Sequence, residues 1–158
     1  MRGFRITPSG YELLWQLGEE AAWGRSYGDA LDRLPAGDPR ERALLRAWCG
    51  DLSEVSRHGE VLAVAGPRPV PFREDHDLLR LKARALAGTG KVADAHACFR
   101  EARGRAPGDR ALLRDHARLL IADEAWAEAQ DALDRLRLQW HRTAYVGLTH
   151  EGGNAGSL

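Results

Sequence analysis

Between residues 76 and 139 one pattern is written twice, 34 positions apart. Leu78 falls on Leu112, Leu79 on Leu113 and Arg80 on Arg114. Ala83, Arg84 and Leu86 fall on Ala117, Arg118 and Leu120, and Ala95, Phe99 and Ala102 fall on Ala129, Leu133 and Leu136. A fixed period of this length marks an array of helix pairs. Each pair is too small to bury its own apolar stripe and must lean on a neighbour. The period alone therefore predicts an all-α chain.

Within the first copy, Leu79, Ala83 and Leu86 recur at helical offsets, which is one stripe of a helix. Gly88-Thr89-Gly90 interrupts it, and Val92, Ala95, Phe99 and Ala102 form a second stripe. Ala106-Pro107-Gly108-Asp109 ends that helix, because proline cannot continue it, and Asp109 suits the N-cap of the next. The second copy runs through Leu113, Ala117 and Leu120, then Trp126, Ala129, Leu133 and Leu136. This reading places Trp126 and Leu133 in the core. Ala83, Ala95, Ala117 and Ala129 are small enough to let helices approach closely.

The pattern resembles the tetratricopeptide repeat family. Gly90-Lys91-Val92-Ala93-Asp94-Ala95, then Phe99, Ala102 and Pro107, carry most of the residues of that motif's second half. The second copy keeps Trp126, Ala129, Leu133 and Leu136, with Glu124 for the glycine and His141 for the proline. Lys82 and His116 stand where the family usually has an apolar residue. The resemblance implies a right-handed superhelix (solenoid) of about four antiparallel helix pairs. It also implies a concave groove, lined by the first helices, where peptides bind.

The N-terminal half follows the scheme more loosely. Ser9-Gly10-Tyr11-Glu12 reads as a capping box, with a helix to about Trp23. Gly24-Arg25-Ser26 is a break, and Tyr27, Ala30, Leu31 and Leu34 predict a short helix cut off by Pro35. Asp38-Pro39-Arg40-Glu41 starts another helix, with a proline at its first position. Gly50 is expected to break it, and Asp51-Leu52-Ser53-Glu54 to cap the next through about Ala65. Val61 to Ala65 is read as helix, since a lone strand there has nothing to pair with. Gly66-Pro67-Arg68-Pro69-Val70-Pro71 reads as an extended, semi-rigid insertion of about six residues into the period. The expected repeats are 9–34, 36–69, 76–109 and 110–143, in one domain spanning 1–150. Trp140, Tyr145 and Leu148 are expected to fold back over the last helix, and 151–158 to be a disordered tail.

Composition narrows the function. The formal net charge is zero and 29% of residues are charged, whereas a dedicated nucleic-acid-binding domain is usually basic. No stretch is apolar enough to span a membrane. The start, Met1-Arg2-Gly3-Phe4-Arg5, leads into no apolar run, so a cytoplasmic protein without signal peptide is expected. Cys49 and Cys98 have no metal-ligand spacing and read as reduced, buried thiols. Lys82 and Lys91 are the only lysines, which reads as GC-rich codon usage.

No catalytic, phosphate-binding or metal motif appears, so neither enzyme activity nor a cofactor is expected. His76, between Asp75 and Asp77, reads as a helix start with acidic residues complementing the dipole. His96 and Cys98 are two apart and point to different faces of a helix. Trp15, Trp23 and Trp48 have two readings, packing between repeats or anchors for a partner, with Trp15 assigned to the groove. Arg80 and Arg84 share one face of a first helix, Arg114 and Arg118 repeat them, and Arg40 is taken as their counterpart further upstream.

The expected function is a non-catalytic scaffold or adaptor holding a peptide or protein segment, acidic for preference, since arginine forks onto carboxylates. Two alternatives are a regulatory helical-repeat module in a bacterial transcription-related assembly and a self-associating structural subunit. If Phe99 lies in the core, Phe99→Ala should cost about 3–5 kcal/mol in urea unfolding. A loss within error would mean the period is misplaced.

Overall fold

The computed structural model describes residues 25 to 150, with side chains from 27 to 142. Among these residues lie eight helices and no strand, as an all-α chain requires. They are α1 (Arg25–Arg33), α2 (Arg40–Glu54), α3 (His58–Ala65), α4 (Pro69–Glu74), α5 (His76–Gly88), α6 (Val92–Arg105), α7 (Arg110–Ala122) and α8 (Trp126–His150). The capping box at Ser9, Trp15, Trp23 and the tail 151–158 lie outside the described residues. No helix among the described residues is long and apolar enough to cross a membrane. The chain forms two compact units, one ending at Arg105 and carrying α1 to α6, the other beginning at Ala106 and carrying α7 and α8.

The helix ends keep the period. α2, α5 and α7 stop at Glu54, Gly88 and Ala122; α3, α6 and α8 start at His58, Val92 and Trp126. One backbone device sets these ends. Ser56, Gly90 and Glu124 have positive φ, at 57°, 83° and 57°. The next amide donates to a leucine carbonyl five residues back: Arg57 to Leu52 at 2.9 Å, Lys91 to Leu86 at 2.9 Å, Ala125 to Leu120 at 2.8 Å. The left-handed residues donate to Ser53, Ala87 and Ile121, each at 3.1 Å. These paired bonds are the Schellman motif, which satisfies last-turn carbonyls as the chain leaves the helix. Each accepting leucine is buried, so the turn is tied to the core.

The same positions are buried between the turns. Leu44, Leu45, Cys49 and Leu52 on α2 match Leu78, Leu79, Ala83 and Leu86 on α5, and Leu112, Leu113, Ala117 and Leu120 on α7. The following helices add Tyr27, Val61, Ala95 and Ala129, one per period and all buried. The period thus runs back to α1 without a gap, which corrects the insertion expected at 66–71. Gly66-Pro67-Arg68-Pro69-Val70-Pro71 replaces part of a helix and adds nothing to the count. α3 stops after eight residues and α4 begins at Pro69. Pro69 and Pro71 lack amide hydrogens where a first helical turn has no acceptor for them, so they start a helix where an extended segment was expected. Phe72 anchors α4, 2% exposed.

α2 runs through Gly50 to Glu54, where a break and a new cap were expected. Asp51 does not cap a helix. It is buried and accepts a 2.8 Å hydrogen bond from the Tyr27 hydroxyl, pinning α1 to α2. Tyr27 stacks on Trp48 with centroids 6.0 Å apart, so Trp48 serves packing. In this unit α5 touches α2, α3, α4 and α6. It starts at Asp75, whose carboxylate accepts from the amides of Asp77 at 2.9 Å and Leu78 at 3.1 Å. That is the helix start expected around His76. At the other end, a Cβ on Gly88 would lie 2.2 Å from the His58 ring. The imidazole fills the space a side chain would need.

In the second unit Asp109 caps α7, accepting from the Leu112 amide at 2.8 Å. α7 and α8 pack through Leu113, Ala117, Ala132 and Leu136. α8 continues for 25 residues, through Trp140, Tyr145 and Leu148, where a fold-back was expected. Trp126 and Leu133 are not core residues: they are 62% and 43% exposed. Ala132 and Leu136 take the stripe that faces α7, and Trp126 and Leu133 stand beside it.

The turns give a paired prediction. Gly90→Ala should destabilise by about 1–2 kcal/mol, because a Cβ is disfavoured in the left-handed region. Glu124→Gly removes the same cost and should be neutral or stabilising by up to about 1 kcal/mol. Urea unfolding of the two variants checks the opposite signs.

Candidate interaction site

Arginine is the charged residue that the first helices repeat. Arg46 on α2, Arg80 on α5 and Arg114 on α7 each follow the buried leucine pair directly. Arg84 and Arg118 repeat four residues later, where α2 has Gly50. The corrected period therefore makes Arg46, not Arg40, the upstream counterpart of Arg80 and Arg114. Arg40 lies in the first turn of α2 and forks onto Asp38, with Nε to Oδ1 at 3.0 Å and Nη2 to Oδ2 at 2.7 Å. The Arg40 amide also donates to Asp38 Oδ1 at 2.9 Å.

Each member of the repeated position has a carboxylate near it. Arg46 Nε lies 3.3 Å from Asp75, Arg80 Nε 3.9 Å from Asp77, and Arg114 Nε 3.8 Å from Asp115. The Arg46 and Arg114 side chains are half exposed and that of Arg80 is mostly covered. Arg84 is half-buried and Arg118 exposed. Arg80 and Arg84 lie together on α5, and Arg114 and Arg118 on α7; the two pairs belong to different compact units. Trp15 lies outside the described residues.

In the first unit, Arg46 opens on a cleft of about 680 Å³ between the α1–α2 loop, the start of α2 and residues 67–74. Pro39, Pro69, Pro71 and Val70 give it an apolar wall, while Arg42 and Arg46 bring guanidinium groups. Arg42 is bonded to Glu74. Arg68, also on the wall, donates from Nη1 to the Val64 carbonyl at 3.3 Å and lies 4.0 Å from Asp32. Proline rings and exchangeable ion pairs suit recognition of a chain segment. Sequence reasoning missed Arg42, Arg46 and Arg68 because it read 66–71 as an extended insertion. The available signal was Pro69 at a helix start, with the apolar Phe72 three residues on.

Neither thiol is activated. Burial pushes Cys49 up to about 12 and raises Cys98 as well, so both stay protonated near neutral pH. Cys49 is buried as expected, and Cys98 is only partly covered.

No family model matches this chain, and neither a curated protein nor a solved structure matches it.

The Arg40 guanidinium, then the Arg40 amide, hold the Asp38 carboxyl down to about 2, below its usual 3.8. Its folded value is the lower one, so the fork contributes fully above the usual value and is lost as pH falls through about 2. A carbon NMR titration should place the Asp38 midpoint near the depressed value, and Arg40→Ala, which removes the fork but keeps the amide, should raise it only part of the way back. An ordinary midpoint in the unmutated chain would show that the fork does not form in solution.

Proposed function

We propose that the chain is a tetratricopeptide-like repeat module, without catalytic activity, that holds an acidic protein or peptide segment. In this reading the helix hairpins stack as a right-handed superhelix and the first helices line its concave side. The observation that supports it is that turn, core and arginine share one period. Stacking alone explains a recurring turn and a recurring core. It does not require a cation after each buried leucine pair, at Arg46, Arg80 and Arg114. A regular row of planar, bidentate donors suits an extended segment bearing carboxylates. The Arg46 and Arg114 side chains are half exposed although the carboxylates beside them are largely covered, so their guanidinium groups remain within reach of an incoming carboxylate. The zero net charge argues against direct nucleic-acid binding, and a cytoplasmic setting fits two free thiols.

The test is charge reversal. Arg84→Glu with Arg118→Glu should abolish capture of the partners that the unmutated chain retains from a native lysate, read by mass spectrometry. Helicity and melting temperature should stay nearly unchanged. Capture should also weaken as salt rises. An unchanged set of partners would overturn the groove reading, since Arg84 and Arg118 lie four residues beyond Arg80 and Arg114 on the same helix faces.

A further inference from the structure

α8 carries a second, largely exposed apolar stripe, which its own hairpin touches where Arg110 of α7 reaches Trp140. Trp126, Leu133 and Trp140 lie seven residues apart, almost on one line along the helix, and are 62%, 43% and 66% exposed. The position of Leu133 is occupied in the earlier periods by Leu31, Ala65 and Phe99, all 7% exposed or less. In three of four periods this position is covered, and in the last it is open. Trp140 is already held in place, because Arg110 lies over its ring at 5.2 Å.

Two properties of this face identify its occupant. The stripe is a palindrome, Trp–Leu–Trp at equal spacing. A two-fold axis at Leu133 would set Leu133 on Leu133 and each Trp126 against a Trp140. The charges are antisymmetric about the same point. From 126 to 134 the ionised residues are all acidic (Glu128, Asp131, Asp134), and from 135 to 142 they are all basic (Arg135, Arg137, Arg142). Arg135 and Arg137 make local contacts with Asp131 and Asp134, at 3.1 and 3.9 Å, but the two halves of the helix keep opposite signs. An antiparallel neighbour of the same sequence lays its basic half over this acidic half and opposes the helix dipoles. A parallel neighbour sets like against like. Packed helices lie about 8–10 Å apart, on the order of one Debye length at physiological salt. Self-complementarity of this kind is what an isologous contact demands.

We infer that α8 pairs with α8 of a second copy of this chain, antiparallel, about a two-fold axis at Leu133. The contact is separate from the arginine row and does not depend on it. Sedimentation velocity over the micromolar range should show a dimer. Leu133→Asp should weaken it at least tenfold with helicity retained. Leu138→Asp, at a site 62% exposed but off the stripe, should leave it intact. Leu133→Cys should cross-link into a covalent dimer on mild oxidation faster than Leu138→Cys. A monomer at every concentration would overturn the inference. So would equal effects of the two aspartates, equal cross-linking of the two cysteines, or open-ended oligomers that grow with concentration. A chain that stays monomeric, yet loses a lysate protein through Leu133→Asp, would assign the face to a different partner and overturn it as well.

Discussion

The left-handed residue that closes each first helix is the constraint on which the described structure rests. At Ser56, Gly90 and Glu124 the backbone adopts a conformation that costs a non-glycine residue about 1–2 kcal/mol. Two orphan carbonyls are satisfied in return, and one belongs to a buried leucine. Without this turn, a helix ending here would lose the amide that the leucine carbonyl of its last turn accepts. The turn therefore fixes both where each hairpin bends and which residues face its core.

This constraint explains what the sequence disclosed and what it hid. In the C-terminal half the turn residue of the first copy is Gly90 and its flanks are sharp, so α5 to α7 and the start of α8 were legible. Upstream the same turn is built on Ser56, which carries no glycine signal, while Gly50 and Gly59 nearby attract attention. α2 passes through Gly50, and α3 holds Gly59 in its first turn. Misplacing that turn shifted the whole upstream period and selected Arg40 where Arg46 belongs. A different error put Trp126 and Leu133 inside. Helical spacing identifies stripes, but α8 has two adjacent stripes, and the smaller residues, Ala129 and Ala132, take the core.

The cleft in the first unit follows from a local substitution. Where another period has one helix of 14 residues, α6, this one has α3, a proline-bounded corner and α4. The corner carries Pro67, Pro69 and Val70 outward, opposite Arg42 and Arg46. Only the arginine types and their spacing were readable beforehand. The opening itself depends on a helix-or-extended decision that three alternating prolines leave finely balanced.

The contact between His58 and Gly88 bears on modularity. His58 begins α3 and Gly88 ends α5, so one repeat leaves its imprint on the next. The matching positions are Glu54 in α2 and Ala122 in α7, both with a Cβ. Moving the last hairpin into the place of the one before it would drive that carbon into the imidazole. At this contact the two hairpins are therefore not interchangeable, and a reshuffled gene would have to exchange His58 together with Gly88.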